Sequence, residues 1–383
     1  MAPTSRAALL PSAVAGLALL LAGCSGGSGP DAAPAAPSAS APSASAPSSP
    51  SSSTPTSTGE PQVVASGLEA PWGLAFLPDG DALVSERDTA RVLRIPAAGG
   101  APVEVARVDA ARPAGEGGLL GLAVSPSYAT DGLVYAYVTT ATDNRVVRFR
   151  LGEEPAAVLT GIPRGTIHNG GRLAFGPDGS LYAGTGDTGD RSLAQDASSL
   201  GGKVLRMTAD GRPVAGASSL VFSTGHRNVQ GLAFDAAGRL WATEFGQDTF
   251  DEVNQVRAGD NGGWPQVEGA GTGGGRFASP LVTWRTDQAS PSGVAVAGDA
   301  LYVGALRGER LWRVPLDGRG GTGTPQALLV GRYGRLRTPV TAPDGSLWVT
   351  TSNRDGRGDP TAADDRVLRL AVPPAAPAAA PLT

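Results

Sequence analysis

The chain has 383 residues, with 31 Lys and Arg against 35 Asp and Glu and a formal net charge of −4. That length allows one large or two ordinary domains with an ample core, and a mildly acidic chain without a Lys/Arg cluster speaks against nucleic acid as a partner. With 55 glycines and 32 prolines the composition is that of a turn-rich, all-β chain, and a single cysteine excludes intramolecular disulfides.

The N-terminus reads as an export signal rather than as part of the fold. Arg6 precedes an apolar run from Ala13 to Leu21, which ends in Leu21-Ala22-Gly23-Cys24. A charged start, a short apolar core and small residues make a signal peptide, and the run is too short for a typical spanning helix. Leu-Ala-Gly-Cys resembles a bacterial lipobox, so residues 1–24 are predicted to be a lipoprotein signal peptide with Cys24 lipidated. The protein is then expected outside the bacterial cytoplasmic membrane, at the cell surface or in the periplasm, touching lipid through Cys24 only. Residues 25–60 are Ser, Ala, Pro, Gly and Thr with almost nothing to bury, and are predicted to be a disordered tether. A Pro/Ala-rich tail occupies 373–383, which leaves 61–372 as the folded unit.

Within that unit one pattern recurs six times. Its copies begin with PWGLAFLPDGDALVSER at Pro71, GGLLGLAVSPSYATDGLVYAYVTT at Gly117 and HNGGRLAFGPDGSLYAGTGD at His168. They continue with VQGLAFDAAGRLWATEFG at Val229, PSGVAVAGDALYVGALRG at Pro291 and TPVTAPDGSLWVTTSNRD at Thr338. Each is a pair of short apolar runs around a turn, which predicts a β-hairpin. A third strand follows: RVLRI at Arg91, RVVRFRL at Arg145, KVLRM at Lys203, DEVNQV at Asp251, RLWRV at Arg310 and RVLRL at Arg366. A more variable fourth strand follows most units, such as PVEVARV at Pro102 or PLVTW at Pro280. Six units of four antiparallel strands predict an all-β, six-bladed β-propeller. The last unit lacks a fourth strand, and QVVASG at Gln62 is predicted to supply it and close the ring.

In such blades the start of the first strand and the loop after the second lie at the same end. Polar residues therefore gather by repeat position rather than by sequence distance. Before first strands stand Trp72, Glu116, His168, Arg227 with Asn228, Ser290, and Arg335 with Arg337. After second strands stand Glu86, Asp187, Glu244 to Gln247, Arg307, and Asn353 with Arg354. A lone histidine is more often structural, but His168 and Asp187 share a blade at matching positions, which suits a general base oriented by a carboxylate. Arg335 and Arg337 alternate along an extended segment, and two such guanidiniums repel unless an anion sits between them. With Arg227 and Arg307 at equivalent positions they point to a polyanionic ligand. The oxygen-rich Glu244–Asp248 loop suits Ca2+ but is a weak signal alone, and His226 reads as equally structural or functional. Asp355, Asp364 and Asp365 are expected to be solvated turn residues.

The chain resembles the soluble PQQ-dependent sugar dehydrogenases, the soluble glucose and aldose sugar dehydrogenase group. The motifs that carry the resemblance are GEGGLLGLAVSP, HNGGRLAFGPDGSLYAGTGD, LGGKVLRM, GHRNVQGLAFD, DEVNQVRAGDNGGWP, RLRTPVTAPDGSLWVTTSNRDGRG and DDRVLRL, in order. The resemblance implies pyrroloquinoline quinone (PQQ), a tricarboxylate quinone, held over the axis with Ca2+. It implies His168 as the base for the sugar C1 hydroxyl, Asp187 as its partner, hydride transfer to the quinone C5, and Arg227 as stabiliser of the developing oxygen charge. Glu116, Asn228, Arg307, Arg335 and Arg337 would contact the cofactor, and the carbonyls of Gly246 and Gln247 would ligate Ca2+. Glu116 and Ser192 stand where the glucose enzymes have glutamine, Arg307 replaces a lysine and Gln247 a proline. A carboxylate at 116 beside a tricarboxylate is unfavourable unless it is protonated or turned away. The expected partners are a sugar and an electron acceptor whose identity the sequence leaves open. The competing readings are a Ca2+-dependent propeller lactonase, which needs a cage of carboxylates, and a non-catalytic binding propeller.

Overall fold

The computed structural model describes residues 59–271 and 273–373. The signal peptide, nearly all of the tether and nearly all of the tail predicted from sequence lie outside the described residues. Among the described residues no helix is long and apolar enough to cross a membrane.

Six four-stranded antiparallel sheets account for the strands, in the predicted order. Their first strands are Pro71–Phe76, Leu119–Val124, Leu173–Phe175, Val229–Phe234, Pro291–Ala297 and Leu336–Thr341. Each first strand contacts the first strand of the next blade, and the sixth contacts the first, so the ring is closed. The final blade takes its fourth strand from the N-terminal side, as predicted. Gln62–Ser66 pairs antiparallel with Arg366–Leu370, with Gln62 opposite Arg369 and Ser66 opposite Arg366.

The recurring sequence has a local cause at each step. In the Pro-Asp-Gly hairpins the glycine carries a positive φ, 91° at Gly80 and 74° at Gly179, which a side chain would disfavour. The turn aspartate then takes the second arginine of the third-strand signature. Arg94 reaches Asp79 at 2.7 Å, Arg206 pairs with Asp178, and Arg369 pairs with Asp344. The glycine inside the first strand is set by the approach of neighbouring blades. A Cβ on Gly121 would stand 2.2 Å from the Gly171 carbonyl, and one on Gly231 would stand 2.6 Å from the Ser292 carbonyl.

The core is not one mass but six apolar clusters, each between two adjacent blades. The first joins Leu83 and Val92 of blade one to Ala136 and Phe149 of blade two. Another joins Trp348 and Val367 of blade six to Leu74 and Val84 of blade one, and the closing strand adds Val64 to it. Burial of this kind contributes about 25 cal/mol per Å2 of apolar surface. The ring is thus held by side-by-side wedges, and the first strands line the centre, apolar where Leu74, Leu122, Leu173, Leu232 and Val294 face a shared cavity and polar towards the starts of those strands.

Candidate active site

A backbone hydrogen bond recurs at this end of every blade, at one register in five of them and displaced in blade three. The amide just after, or at the end of, the second strand donates to a carbonyl before or at the start of the first. These pairs are Arg87 to Ala70 at 3.2 Å, Thr139 to Gly118 at 2.9 Å, Thr188 to His168 at 3.2 Å, Phe245 to Asn228 at 3.4 Å, Leu306 to Ser290 at 3.1 Å, and Ser352 to Arg335 at 2.8 Å. Asn228 and Arg335 therefore occupy the same rung of two blades, whereas in blade three the bond is displaced, with His168 one residue further before the first strand and Thr188 two further beyond the second. The backbone at His168 is left-handed, φ 52°, as it is at Ala70 at 47° and Ser290 at 50°, but Asn228 and Arg335 do not share it.

His168 and Asp187 are brought together. The imidazole Nδ1 lies 2.6 Å from Asp187 Oδ1, and Nε2 makes no hydrogen bond among the described residues. Asp187 is held on every side. Gly189 N–H donates to Oδ1 at 2.9 Å, and the Trp264 indole N–H donates to Oδ2 at 2.8 Å. Burial works to raise the Asp187 carboxyl, but these donors and the histidine outweigh it and hold it below the usual range. An ionised carboxylate on Nδ1 fixes the tautomer and leaves Nε2 as the accepting nitrogen.

Arg227 joins the same cluster through its backbone and ring contacts. Its carbonyl accepts the Asp187 N–H at 2.8 Å, and its guanidinium lies 5.6 Å from the Trp264 ring centroid. Gln247 Oε1 takes Nε at 3.1 Å and one terminal nitrogen at 2.8 Å, and the Phe245 carbonyl takes the other at 3.1 Å. No carboxylate pairs with it among the described residues. Burial pulls its acidity constant below the ordinary arginine value, which still leaves it charged. Asn228 accepts the Gly170 N–H at 3.0 Å through Oδ1, while its Nδ2 is buried with no acceptor.

A cavity of about 220 Å3 opens at this end, with Trp72, Glu116, Gln230, Phe245 and Leu306 in its wall. Its charged lining is Arg87, Arg335, Arg337 and Arg357 against Glu116 and Asp355, four guanidiniums to two carboxylates. The anion expected between Arg335 and Arg337 is supplied in part by the chain itself. Asp355 Oδ2 accepts from Arg335 at 2.9 Å and from Arg337 at 3.2 Å. This corrects the expectation of a solvated Asp355, and Asp364 and Asp365 are likewise buried. Asp365 takes the backbone N–H of Asn353 at 2.6 Å and of Arg354 at 3.1 Å, so these carboxylates are loop anchors. Burial pulls Arg337 down to about 10, with Asp355 opposing. Beneath the cavity the Trp72 indole is flanked by Arg172 at 4.3 Å and Arg337 at 5.8 Å.

Several sequence expectations are revised. Glu116 is not turned away from the cavity, and a guanidinium answers it. Its Oε1 pairs with Arg357 at 2.9 Å and its Oε2 accepts the His168 N–H at 2.8 Å. Arg307 does not line the cavity. It is exposed in the turn just beyond Leu306, between that wall residue and the buried Gly308. Glu86 faces away from the cavity into its own blade, bound to Arg91 at 2.6 Å. His226 is structural, set between Ser223 Oγ at 2.7 Å and Glu244 Oε1 at 3.3 Å. Ser192 is exposed and bonds Asp190 at 2.6 Å.

Gly246 and Gln247 sit in a loop wrapped around one carboxylate. Glu268 Oε1 accepts four consecutive amides, Gln247 to Phe250, at 2.7 to 3.1 Å. The loop's amides point inward at Glu268, and the Gly246 and Gln247 carbonyls accept no hydrogen bond among the described residues. No group of three or more His, Cys, Asp or Glu side chains is arranged to hold a metal among the described residues. Any cation here would rest on carbonyl oxygens. Arg87, Arg357 and Asp355 were within reach of sequence reasoning, since all three follow second strands. Trp264 was not, because it lies in the long segment between the third and fourth strands of blade four and has no repeat position.

The chain is similar to several characterised proteins. It is 55% identical to the PQQ-bound form of an aldose sugar dehydrogenase from Streptomyces coelicolor, with a TM-score of 0.77 over 81% of this chain and 96% of that one. It is 32% identical over 254 residues to quinoprotein glucose dehydrogenase B of Acinetobacter calcoaceticus, covering 54% of this chain and 52% of that protein. It is 28% identical over 337 residues to the aldose sugar dehydrogenase of Escherichia coli, covering 77% of this chain and 90% of that protein. Residues 68–363, from just before the first blade to just before the last strand, match the sequence model described as glucose/sorbosone dehydrogenase, and the chain belongs to that family.

Proposed function

We propose that this protein is a quinoprotein aldose dehydrogenase that oxidises the C1 hydroxyl of a sugar to the lactone. The observation that carries the reading is an oriented imidazole, His168 on Asp187, tied through its backbone N–H to Glu116 in the wall of a cavity whose guanidiniums outnumber its carboxylates. Such a base suits proton abstraction from a hydroxyl, and such a surplus suits a flat polyanion. PQQ is the polyanion bound by the Streptomyces coelicolor relative. The residues present fit it on two counts: Arg335 and Arg337 are buried in the cavity wall with one carboxylate between them, and Asn228 Nδ2 is a buried donor without an acceptor.

Arg335, Arg337 and Asn228 would hold the cofactor, and the Gly246 and Gln247 carbonyls would hold Ca2+ beside it. When bound, PQQ with Ca2+ supplies the acceptor for the hydride that leaves C1. His168 Nε2 takes the hydroxyl proton, while Asp187 keeps Nδ1 protonated and the ring in plane. Arg227 spends three of its five N–H directions on Gln247 and Phe245, and the remaining two are free to stabilise charge on the substrate oxygen. Glu116 fixes the His168 backbone, and its charge is offset by Arg357. The lactonase reading needs a carboxylate cage around a metal, and no such cage stands among the described residues. In keeping with the lipobox, the enzyme would work outside the cytoplasmic membrane, tethered at Cys24.

The test is reconstitution of the purified chain with PQQ and Ca2+, followed by dye reduction with a panel of aldoses. Sugar-dependent reduction that needs both additions supports the reading. Tight PQQ binding with no reduction by any aldose would leave a binding propeller instead.

A further inference from the structure

Trp264 touches both halves of the proposed machinery, yet it comes from neither of their strands. It lies in the segment after the third strand of blade four, and that segment is fastened onto blade three. Its N–H donates to the Gly225 carbonyl at 3.0 Å, and its own carbonyl accepts Gln195 Nε2 at 2.7 Å. The indole is buried. Its N–H ends on Asp187 Oδ2 at 2.8 Å, and its ring lies against Arg227 at 5.6 Å and Arg191 at 5.2 Å.

We propose that Trp264 is a positioning residue for the His168–Asp187 couple, and that its indole N–H sets how strongly the carboxylate pulls on the imidazole. Asp187 offers two oxygens. Oδ1 is taken by His168 and Gly189, so the Trp264 N–H is the one donor the described residues give Oδ2. A donor on the far oxygen withdraws charge from the carboxylate and weakens its hold on an imidazolium. The same ring gives Arg227 a flat face to lie on, which fixes the guanidinium relative to the base. The other charged groups around the couple are Glu116 on the His168 backbone, Arg357 on Glu116, Glu244 on the Arg227 backbone, and Asp190, which follows Asp187 by one turn. None of these makes a hydrogen bond to the Trp264 side chain, whereas Arg191 and Arg227 lie against its ring and depend on an aromatic face there.

The catalytic part of this inference rests on the dehydrogenase reading, but its test does not. The chain contains two histidines, so histidine-selective NMR of the full protein gives two imidazoles to follow, distinguished by a His168→Gln control. Trp264→Phe keeps the ring and deletes the donor. One lost hydrogen bond of about 1 kcal/mol corresponds to a rise of about 0.7 pH unit in the His168 titration midpoint, with His226 unmoved. In the reconstituted enzyme the acid limb of the pH–rate profile should move up by the same amount, with the plateau rate within about threefold of wild type. Trp264→Ala, which also removes the face under Arg227, should lower that plateau a further tenfold or so. In the unmodified protein the Trp264 indole N–H signal should shift with the same midpoint as His168, a readout that needs no variant. An unmoved His168 midpoint, a downward shift, or an indole signal blind to the His168 titration would overturn the proposal. A moved midpoint in a protein that oxidises no aldose would leave the coupling standing and remove the dehydrogenase reading instead.

Discussion

Glu116 and Arg357 form an ion pair of 2.9 Å between blades two and six, and both line the cavity. The pair explains how a carboxylate sits beside a site read as anionic: the charge that would repel a ligand is answered by a guanidinium from across the ring. Arg357→Ala should therefore weaken PQQ uptake, by roughly tenfold if one repulsion of about 1.4 kcal/mol is exposed. Adding Glu116→Gln to that variant should restore uptake, since Gln keeps an acceptor for the His168 N–H. Fluorescence titration with PQQ reads both. Equal affinity in wild type and Arg357→Ala would show that Glu116 is electrostatically silent.

His168→Ala and Arg335→Ala should fail in opposite ways. Loss of the base is expected to reduce turnover by about 10²–10⁴-fold while cofactor binding changes little. Loss of Arg335 should weaken cofactor binding and leave the turnover of the saturated enzyme closer to normal. Equilibrium binding and dye-reduction kinetics on the same preparations separate the two. A His168→Ala protein that no longer binds PQQ would assign the histidine a structural task.

Asp355→Asn should destabilise the fold and favour anion binding at once. Two buried guanidiniums lose their shared carboxylate, a change on the order of 3–5 kcal/mol, read by urea unfolding. Burial works to raise the Asp355 carboxyl, but Arg337 and Arg335 outweigh it and hold it below its ordinary value. Its folded-state acidity constant is thus depressed. The stability it contributes is fully present above about pH 4, where the unfolded chain ionises, and fades as pH falls through the lower folded value. The variant should lose that acid dependence and take up PQQ more tightly than wild type.

Lys203 gives a signal of the opposite kind on the alkaline side. It occupies the third-strand slot that carries Arg91, Arg145, Arg310 and Arg366 in other blades, and its ammonium donates to the carbonyls of Leu193, Ala194 and Gly201 at 2.6 to 3.1 Å. Burial pulls it down to about 8. The unfolded chain keeps that proton to about pH 10.4, so between these values the unfolded state binds more protons. Linkage then makes this group's contribution to stability rise with pH from about 8 to 10.4. Lys203→Met should flatten that rise in urea titrations taken at pH 7.5, 9 and 10. An identical slope in both proteins would mean the amine is solvated.

The propeller was legible in the sequence because each blade restates the same local chemistry. A turn glycine needs a positive φ, an inner-strand glycine needs room for the next blade, and the third-strand arginine needs the turn aspartate. The same periodicity carries His168, Asp187, Asn228 and Arg335 onto one end, since the start of a blade's first strand and the loop after its second lie together. It misjudged Arg307 and Asp355, because repeat position says which end of a blade a residue occupies and not which way its side chain turns.

What the sequence determined by itself is the period: strand, turn and rung recur through interactions spanning a few tens of residues at most. What the tertiary structure alone decided is which side chains meet: Asp355 with two arginines within blade six, Arg357 with Glu116 between blades six and two, and Trp264 with Asp187. Those contacts join segments 18 to 241 positions apart in the chain. The longer of them lie between blades, and nothing periodic predicts which side chain crosses the shaft. Burial makes the partner a necessity for Asp355 and its two arginines, since an uncompensated charge there would cost several kcal/mol, but only the folded chain says which partner it is.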